Sequence, residues 1–311
     1  MSLADHVRTL GRGPGRARSL TREEAHDAMR LMLQDDAAAE AVGAILMLLR
    51  MKGETAEEIA GFAAAAQAEL PALPRVDLDW PSYAAGRTRG APWFLMSAKL
   101  VAESGHRVLL HGWNGHDQKV RAGLSQAGIK IAQNASDAAR LLDDHNIAYL
   151  PLEHWHPALF RLLNLRDVLG LRSCVNTVCR MLNPGAARAS VQGVFHPSYR
   201  LLQADAAALL GWESLSVIKG GGGEFERHPA KDIAAFGLRS GAAWDETCPA
   251  LRAETRRLAD TAHTSTFPLP SAFETDVITG TAALALDTLG VPDPTTRAQG
   301  LWAAHASDKA A

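Results

Sequence analysis

The 311-residue sequence is poor in cysteine and aromatic residues, carries almost no net charge, and has no long apolar run. Its three cysteines lack C-x-x-C spacing, which argues against a disulfide framework and against a cysteine-based zinc site. No apolar stretch approaches the roughly 20 residues that a membrane-spanning helix needs. The first residues are polar and basic, unlike a secretory signal. We therefore expect a cytoplasmic protein with no membrane partner.

The formal net charge is only −2, but the charges are unevenly distributed. Residues 20–75 contain ten acidic and five basic side chains, whereas the first 18 residues include Arg8, Arg12, Arg16 and Arg18. Such asymmetry is typical of proteins that contact an anionic partner with part of their surface. An ordinary solvated surface explains the same counts equally well.

A proline-rich stretch at residues 70–81 divides the chain into two parts. Before it, Thr21 with Glu24 and Thr55 with Glu58 have the spacing of capping boxes at helix starts, and residues 41–51 are apolar on most faces. After it, short apolar runs alternate with helical patterns, which predicts an α/β domain with a mainly parallel sheet. We predict a flexible basic arm over residues 1–19, a helical domain that forms a dimer contact over 20–72, and the α/β domain over 73–311.

The α/β domain shows five strand patterns and three clear helix patterns. The predicted strands cover residues 108–110, 129–132, 147–150, 191–195 and 215–218, and the predicted helices cover 137–143, 157–169 and 201–210. Ligands of such sheets bind at the carboxyl ends of the strands. The loops at 111–119, 152–157, 195–199 and 220–229 are therefore the candidate site.

One of these loops begins with four consecutive glycines, Gly220 to Gly223, after Lys219. Glycine loses the most chain entropy on ordering, so such a run indicates positive φ angles or a close approach of the backbone to another group. Successive backbone N–H groups in such a loop can also form an anion-binding nest.

Four segments resemble the anthranilate phosphoribosyltransferase family, and they occur in the family's order. They are LLHG (109–112), LGLRSCVNTVCRMLNPG (169–185), VQGVFHPSY (191–199) and VIKGGGGE (217–224). The resemblance implies the nucleoside phosphorylase/phosphoribosyltransferase-like fold: a small N-terminal all-helical domain and a larger α/β domain with a mainly parallel central sheet. It also implies a site for 5-phosphoribosyl pyrophosphate and magnesium.

Most departures from the family pattern remove acidic groups or add bases, and one removes a lysine. The family's GTGGD loop is replaced by AAGRTRGAP (84–92), which contains Arg87 and Arg89. The family's lysine before the His-Gly pair is absent at Leu110, and its adjacent Asp-Glu metal pair is replaced by Glu224 and Glu226, which are two residues apart. Magnesium needs near-octahedral oxygen ligands, so this change weakens metal binding without excluding it.

Within the family the chain is most similar to the YbiB branch, which is described as a nucleic-acid-binding homodimer. The resemblance implies a non-catalytic protein without a cofactor that binds single-stranded nucleic acid, or nucleic acid without sequence preference, through basic grooves. Aromatic side chains at Trp93, Trp113 and Tyr199 are candidates for base stacking. The predicted phosphate-binding residues are Arg87, Arg89, His111, Gly112, Lys119, Arg121, Lys219, Gly220, Gly221, Gly222, Gly223 and Arg227.

Two other functions stay open, and so does the question of whether the protein is an enzyme. An active phosphoribosyltransferase with an altered acceptor would hold Mg²⁺ on Glu224 and Glu226, cradle phosphates on Gly112 and the glycine run, and orient an acidic acceptor with Arg172. A scaffold that binds a protein or a small anion is the third possibility.

Two histidine-containing features have a structural alternative. His111 is either a phosphate contact or a buried hydrogen-bonded histidine. The cluster Glu153-His154-Trp155-His156 resembles a metal site because alternate residues such as His154 and His156 share a strand face, but no third ligand lies nearby with suitable spacing, so a metal site there is disfavoured.

Overall fold

The computed structural model describes residues 1–13, 15–84, 90–113, 119–254, 267 and 269–308. The N-terminal domain consists of α1 (Leu3–Gly11), α2 (Arg22–Met32), α3 (Ala39–Lys52) and α4 (Ala56–Ala68). The two predicted capping boxes are confirmed at the starts of α2 and α4, where Thr21 and Thr55 accept hydrogen bonds from the backbone N–H groups of Glu24 and Glu58. Each box satisfies backbone donors that the helix itself leaves without a partner.

The first helix corrects the prediction of a flexible arm. Residues 3–11 form α1, in which Leu3, His6 and Leu10 are buried. His6 Nε2 lies 3.0 Å from Asp27 Oδ2 of α2. The arginine count suggested an arm, but these three side chains share one helical face and pack into the helical domain.

The larger domain alternates strands and helices. Its first half contains β1 (Leu78–Ser82), α5 (Phe94–Glu103), β2 (Val108–Gly112), α6 (Lys119–Gln126), α7 (Ala135–His145), β3 (Ile147–Pro151), α8 (Leu152–Trp155), α9 (Pro157–Leu169) and α10 (Val175–Arg180). Its second half contains β4 (Ala189–Val194), α11 (Tyr199–Leu209), β5 (Ser214–Lys219), β6 (Ile233–Arg239), β7 (Ala242–Cys248), α12 (Ala272–Thr288) and α13 (Pro294–Asp308).

The strands form one seven-stranded sheet in the order β3-β2-β1-β4-β5-β6-β7. Strands β1 to β5 are parallel, and β6 and β7 continue the sheet as an antiparallel hairpin. One apolar core joins the sheet to the helical domain, and the other joins it to α5 and α12. Burial on both faces explains the continuous apolar character of the parallel strands. The predicted fold class is confirmed.

Most predicted elements are present, but one predicted strand is reduced to a bridge, and strands β1, β6 and β7 were not predicted. Residues 129–132 form only an isolated bridge between Ile131 and Tyr149. Strand β1 lies partly inside the proline-rich stretch that marked the domain boundary. Its polar Asp79 is buried because Ser190 Oγ donates to it (2.8 Å) and His111 Nε2 lies 3.1 Å away. No local sequence pattern predicts these long-range contacts of Asp79.

Among the described residues, no helix has the length and apolar character required to cross a membrane.

Candidate anion-binding cleft

The carboxyl ends of the five parallel strands meet at one edge of the sheet. Ser82 pairs with Gly112, Gly112 with Pro151, and Val194 with Lys219. The loops that follow these strands therefore lie along a common edge, as the alternating pattern predicted.

A cleft of about 470 Å³ opens at this edge, between the helical domain and the α/β domain. Its walls come from the end of α3, the segment from α9 to α10, the β4–α11 turn and the glycine run. Four arginines line it: Arg50, Arg166, Arg172 and Arg180.

These arginines form a gradient of burial from the mouth to the floor. Arg50 and Arg166 are exposed, Arg172 is half-buried, and Arg180 is buried. Burial lowers the pKa of Arg172, and the charges of Arg166, Arg180 and Arg50 lower it further. Like charges are thus close enough to repel one another. Within the described chain none of the four forms an ion pair with an acidic side chain, so a bound anion would relieve this repulsion.

Arg180 is fixed at the floor by hydrogen bonds. Its Nη1 donates to Asn176 Oδ1 (2.6 Å) and to the Asn176 carbonyl (2.8 Å), while its Nε donates to the Gly193 carbonyl (3.2 Å). Burial lowers the pKa of Arg180, and attraction to Glu224 opposes that shift. The cleft therefore has a preorganised cation at its base.

An aromatic side chain stands beside this charge. Phe195 lines the cleft and is 60% exposed, although aromatic side chains of this size usually bury their rings. Its ring centroid lies 5.0 Å from that of His196, which also lines the cleft. Tyr199 lies on the same wall and donates from its hydroxyl to Glu54 Oε2 (3.2 Å).

The glycine run packs closely against other parts of the chain. A Cβ on Gly220 would lie 1.6 Å from the Glu224 carbonyl oxygen, and a Cβ on Gly193 would lie 2.0 Å from the Glu224 carbonyl carbon. Residues 221–223 form a short 3₁₀ turn with φ of 65° at Gly222, a left-handed value that favours glycine.

The predicted anion nest requires a correction. The N–H groups of Gly220, Gly221 and Gly223 donate to the carbonyls of Val194, Glu226 and Gly220. These three donors are therefore occupied by the protein itself. Gly222 lines the cleft, so the run contributes shape to the cleft wall.

The two candidate metal ligands are also engaged within the protein. Glu224 Oε1 accepts from Ser82 Oγ (2.9 Å) and from the Ala84 N–H (3.2 Å). Glu226 Oε2 accepts from the N–H of Phe94 (3.1 Å), the first residue of α5. Both carboxylates are buried, with residue exposures of 1% and 0%.

These contacts compete with magnesium for Glu224 Oε1 and Glu226 Oε2. Mg²⁺ keeps several water ligands and needs carboxylates that face the ligand space, whereas these side chains hold backbone and hydroxyl donors. The described part of the chain also contains no cluster of three or more metal-capable side chains. The carboxylate of Glu226 instead offsets the partial positive charge at the start of α5.

His111 and Gly112 are internal to the fold. His111 is fully buried, with Nδ1 2.9 Å from the Tyr83 hydroxyl and Nε2 3.1 Å from Asp79 Oδ1. Of its two predicted roles, the structure has the buried hydrogen-bonded one. A Cβ on Gly112 would lie 2.0 Å from the Ser82 carbonyl oxygen, so close strand contact accounts for this glycine.

The predicted bases are distributed more widely than the sequence suggested. Lys219 is exposed at the end of β5, and Lys119 begins α6. Arg121 pairs with Glu153. Arg87 and Arg89 lie outside the described residues.

Arg227 does not lie in the cleft, contrary to the prediction. Its side chain is buried and donates to the carbonyl of Pro249, and burial lowers its pKa. It lines a separate cavity of about 90 Å³ with residues of α12 and α13. The position after the glycine run suggested a phosphate contact, but the packing of α12 draws the side chain inward.

The other aromatic and metal candidates are mostly structural. Trp93 is buried, which rules out its predicted stacking role, while Trp113 is half-buried and packs on Phe160 at 5.7 Å between centroids. His154 Nδ1 and His156 Nε2 lie 3.2 Å from the carbonyls of Ala132 and Ala66, respectively.

Sequence reasoning missed Arg50, Arg166, Arg180 and Phe195 as members of one site. Arg172 precedes α10 and Arg180 ends it, and Phe195 begins the loop 195–199 that the strand pattern marks, so the loop placement was the available signal. Arg50 belongs to the other domain, and no local pattern predicts that it meets them.

Two sequence models of one family match the chain. The helical bundle domain of the glycosyl transferase family matches residues 4–69, and its a/b domain matches residues 94–241. The first match includes α1, consistent with an ordered helix at the start of the helical domain.

Curated relatives carry the name anthranilate phosphoribosyltransferase. The protein of Caldivirga maquilingensis is 30% identical over 210 residues, which is 66% of this chain and 62% of that protein. The protein of Geobacillus kaustophilus is 27% identical over 229 residues, which is 72% of this chain and 68% of that protein. The matched region thus spans about two thirds of the length of these relatives.

Solved structures share the fold. Anthranilate phosphoribosyltransferase from Thermus thermophilus has a TM-score of 0.77 and 20% identity, with 96% of this chain and 93% of that chain covered. The Saccharomyces cerevisiae enzyme in complex with PRPP and Mg has a TM-score of 0.75 and 18% identity, with 96% and 92% covered. The chain belongs to the anthranilate phosphoribosyltransferase-like glycosyl transferase family.

Proposed function

We propose that this chain is a nucleic-acid-binding member of its family and that the arginine-lined cleft receives the phosphate backbone without a metal. Two features together carry the proposal. Four arginines line one cleft, and the two candidate metal ligands, Glu224 and Glu226, accept hydrogen bonds from other parts of the protein. The arginines supply positive charge where an anion can enter. The glutamates are engaged by Ser82, Ala84 and Phe94.

Arginine suits a phosphate ligand for two reasons. Its planar guanidinium donates paired hydrogen bonds to phosphate oxygens, and it stays charged even where burial lowers its pKa. A repeating backbone also brings several phosphates near one cleft, so exposed Arg50 and Arg166 can contact neighbours of the phosphate that enters most deeply. Such contacts carry affinity but no sequence information.

A substitution at the centre of the cleft tests the proposal. Arg172→Ala should weaken binding of a labelled single-stranded oligonucleotide about 10-fold or more, because a charge-assisted contact of roughly 1.5–3 kcal/mol is lost. Fluorescence anisotropy at low salt measures the affinity.

Arg140→Ala is the matched control. It removes the same charge from an exposed residue of α7 that pairs with Asp137 and Asp144. Its affinity should match that of the parent protein. Equal losses in both variants, or no binding of oligonucleotide by the parent at micromolar concentration, would overturn the proposal.

A magnesium-dependent phosphoribosyltransferase is the second candidate, and the named relatives favour it. In this chain it is supported by the family-like segment that places Arg172 and Asn176 in the cleft. Calorimetry with 5-phosphoribosyl pyrophosphate separates the two functions. Tight binding that requires Mg²⁺ supports the transferase, whereas the absence of magnesium-dependent heat supports metal-free anion binding.

Self-association through the helical domain is part of the same proposal. Met51, near the end of α3, is 83% exposed, an unusual degree of exposure for an apolar side chain. Two copies would provide two clefts and increase avidity for one strand that spans both. Light scattering after size-exclusion chromatography should give the mass of two chains.

A further inference from the structure

We propose that Phe195 is a base-stacking residue that makes the cleft selective for unpaired nucleotides. This inference rests on the proposed function and assigns a ligand contact within that site. It follows from the exposure of Phe195, from its place beside the glycine run, and from the burial of the arginines deepest in the cleft.

Phe195 is an exposed ring on an ordered support. It follows β4 directly, and its backbone contacts the glycine run: a Cβ on Gly223 would lie 3.5 Å from both the Cβ and the backbone nitrogen of Phe195. Its ring meets the His196 ring edge-on, with centroids 5.0 Å apart. A ring with 60% exposure at the cleft wall offers a face to a ligand.

The charge beside the ring lies deep in the cleft. Arg180 is only 6% exposed, and Arg172 is half-buried above it. A phosphate must therefore enter the cleft to contact these two side chains, and the nucleotide that carries it must leave regular stacking. The volume of about 470 Å³ has the size of a small-molecule pocket, far less than a duplex requires.

An unpaired nucleotide can contact both the arginines and the Phe195 ring. Its phosphate reaches the arginines, and its ring stacks on Phe195 as bases do on the aromatic platforms of single-strand binding proteins. In a duplex the base faces are covered by their neighbours, so only backbone contacts at the cleft mouth remain. Stacking accepts any base, which agrees with the predicted binding without sequence preference.

The test compares an oligothymidylate with an abasic oligomer of equal phosphate count. The parent protein should bind the oligothymidylate about five-fold or more tightly than the abasic oligomer, since one stacked base contributes at least that factor. Phe195→Leu keeps apolar bulk but removes the flat ring, so it should lose this preference while its affinity for the abasic oligomer is unchanged. Phe195→Trp should restore the preference.

Leu201→Ala is the control, because Leu201 is a 54% exposed apolar residue on the neighbouring helix α11. It should keep the full preference of the parent protein. Retention of the preference by Phe195→Leu, or its absence in the parent, overturns the stacking role while the proposed function stands. Failure of both oligomers to bind the parent protein instead overturns the proposed function itself.

Discussion

At the scale of single residues, Glu224 and Glu226 direct carboxylate oxygens toward backbone and hydroxyl donors of the fold. A carboxylate that coordinates a metal must face the space that the metal occupies. Here Glu224 accepts from Ser82 and Ala84, and Glu226 accepts from the first N–H of α5. These glutamates therefore support the fold.

This role makes a stability prediction for Glu226. Glu226→Gln should lower the free energy of unfolding by about 1–3 kcal/mol, because a buried charge-assisted hydrogen bond and its attraction to the start of α5 are lost. Urea denaturation without metal measures the change.

Glu213→Gln is the control, since Glu213 is exposed before β5. It should leave stability unchanged within about 0.5 kcal/mol. A Glu226→Gln protein as stable as the parent, or more stable, would indicate a carboxylate held under strain for a metal and would contradict a role in supporting the fold.

At the scale of elements, the start of α2 shows how charge stabilises the helical domain. Glu24 accepts from the Thr21 N–H at 2.9 Å and pairs with Arg18 through two hydrogen bonds of 2.6 and 2.7 Å. The Arg18 hydrogen bond lowers the pKa of Glu24 from 4.5 to about 2. Because the pKa in the folded state is depressed, the carboxylate stabilises the protein at neutral pH, and this contribution is lost as the pH falls through about 4.5 toward 2.

Glu24→Gln should therefore destabilise the protein by about 1 kcal/mol at neutral pH, a value reduced for the exposure of Arg18. The difference from the parent should shrink as the pH falls toward 2, where the parent carboxylate becomes protonated. Urea denaturation over this pH range measures it.

Glu23 lies in the same first turn of α2 and forms no ion pair with any described residue, so Glu23→Gln is the matched control. Its effect should be smaller and nearly independent of pH. A pH-independent loss in Glu24→Gln would show that packing, and not the carboxylate charge, is responsible.

Elements with local signals were predicted well. Thr55 with Glu58 marks the start of α4, and the helical pattern at 157–169 coincides with α9. Both signals depend on backbone groups within a few residues, so sequence alone contains them. Strand β1 was missed because its buried Asp79 depends on Ser190, more than a hundred residues away.

The candidate site was predicted only in part, for the same reason. The strand ends and their loops were placed correctly because parallel topology fixes them. The directions of the side chains were not predicted. Packing against α12 sets the direction of Arg227, and contacts with Tyr83 and Asp79 set that of His111. Arg50 joins Arg172 only through the docking of the two domains.

At the scale of the whole molecule, a net charge of −2 conceals a local concentration of positive charge. The acidic side chains are spread over the helical domain and in ion pairs such as Arg161 with Asp35, whereas the cleft arginines have no such partners among the described residues. A field concentrated in a cleft attracts anions even when the total charge is slightly negative. The positive charge thus lies at the strand-end edge, where ligands of such sheets bind.

The most direct test of metal-free anion binding is the affinity of the parent protein for a single-stranded oligonucleotide, measured by anisotropy at increasing salt in EDTA and again in Mg²⁺. We expect binding at micromolar protein or below in low salt, an affinity in EDTA at least equal to that in Mg²⁺, and a steep loss toward physiological salt as counterions compete. The absence of binding at micromolar protein in low-salt EDTA, or binding that appears only with Mg²⁺, would contradict metal-free anion binding.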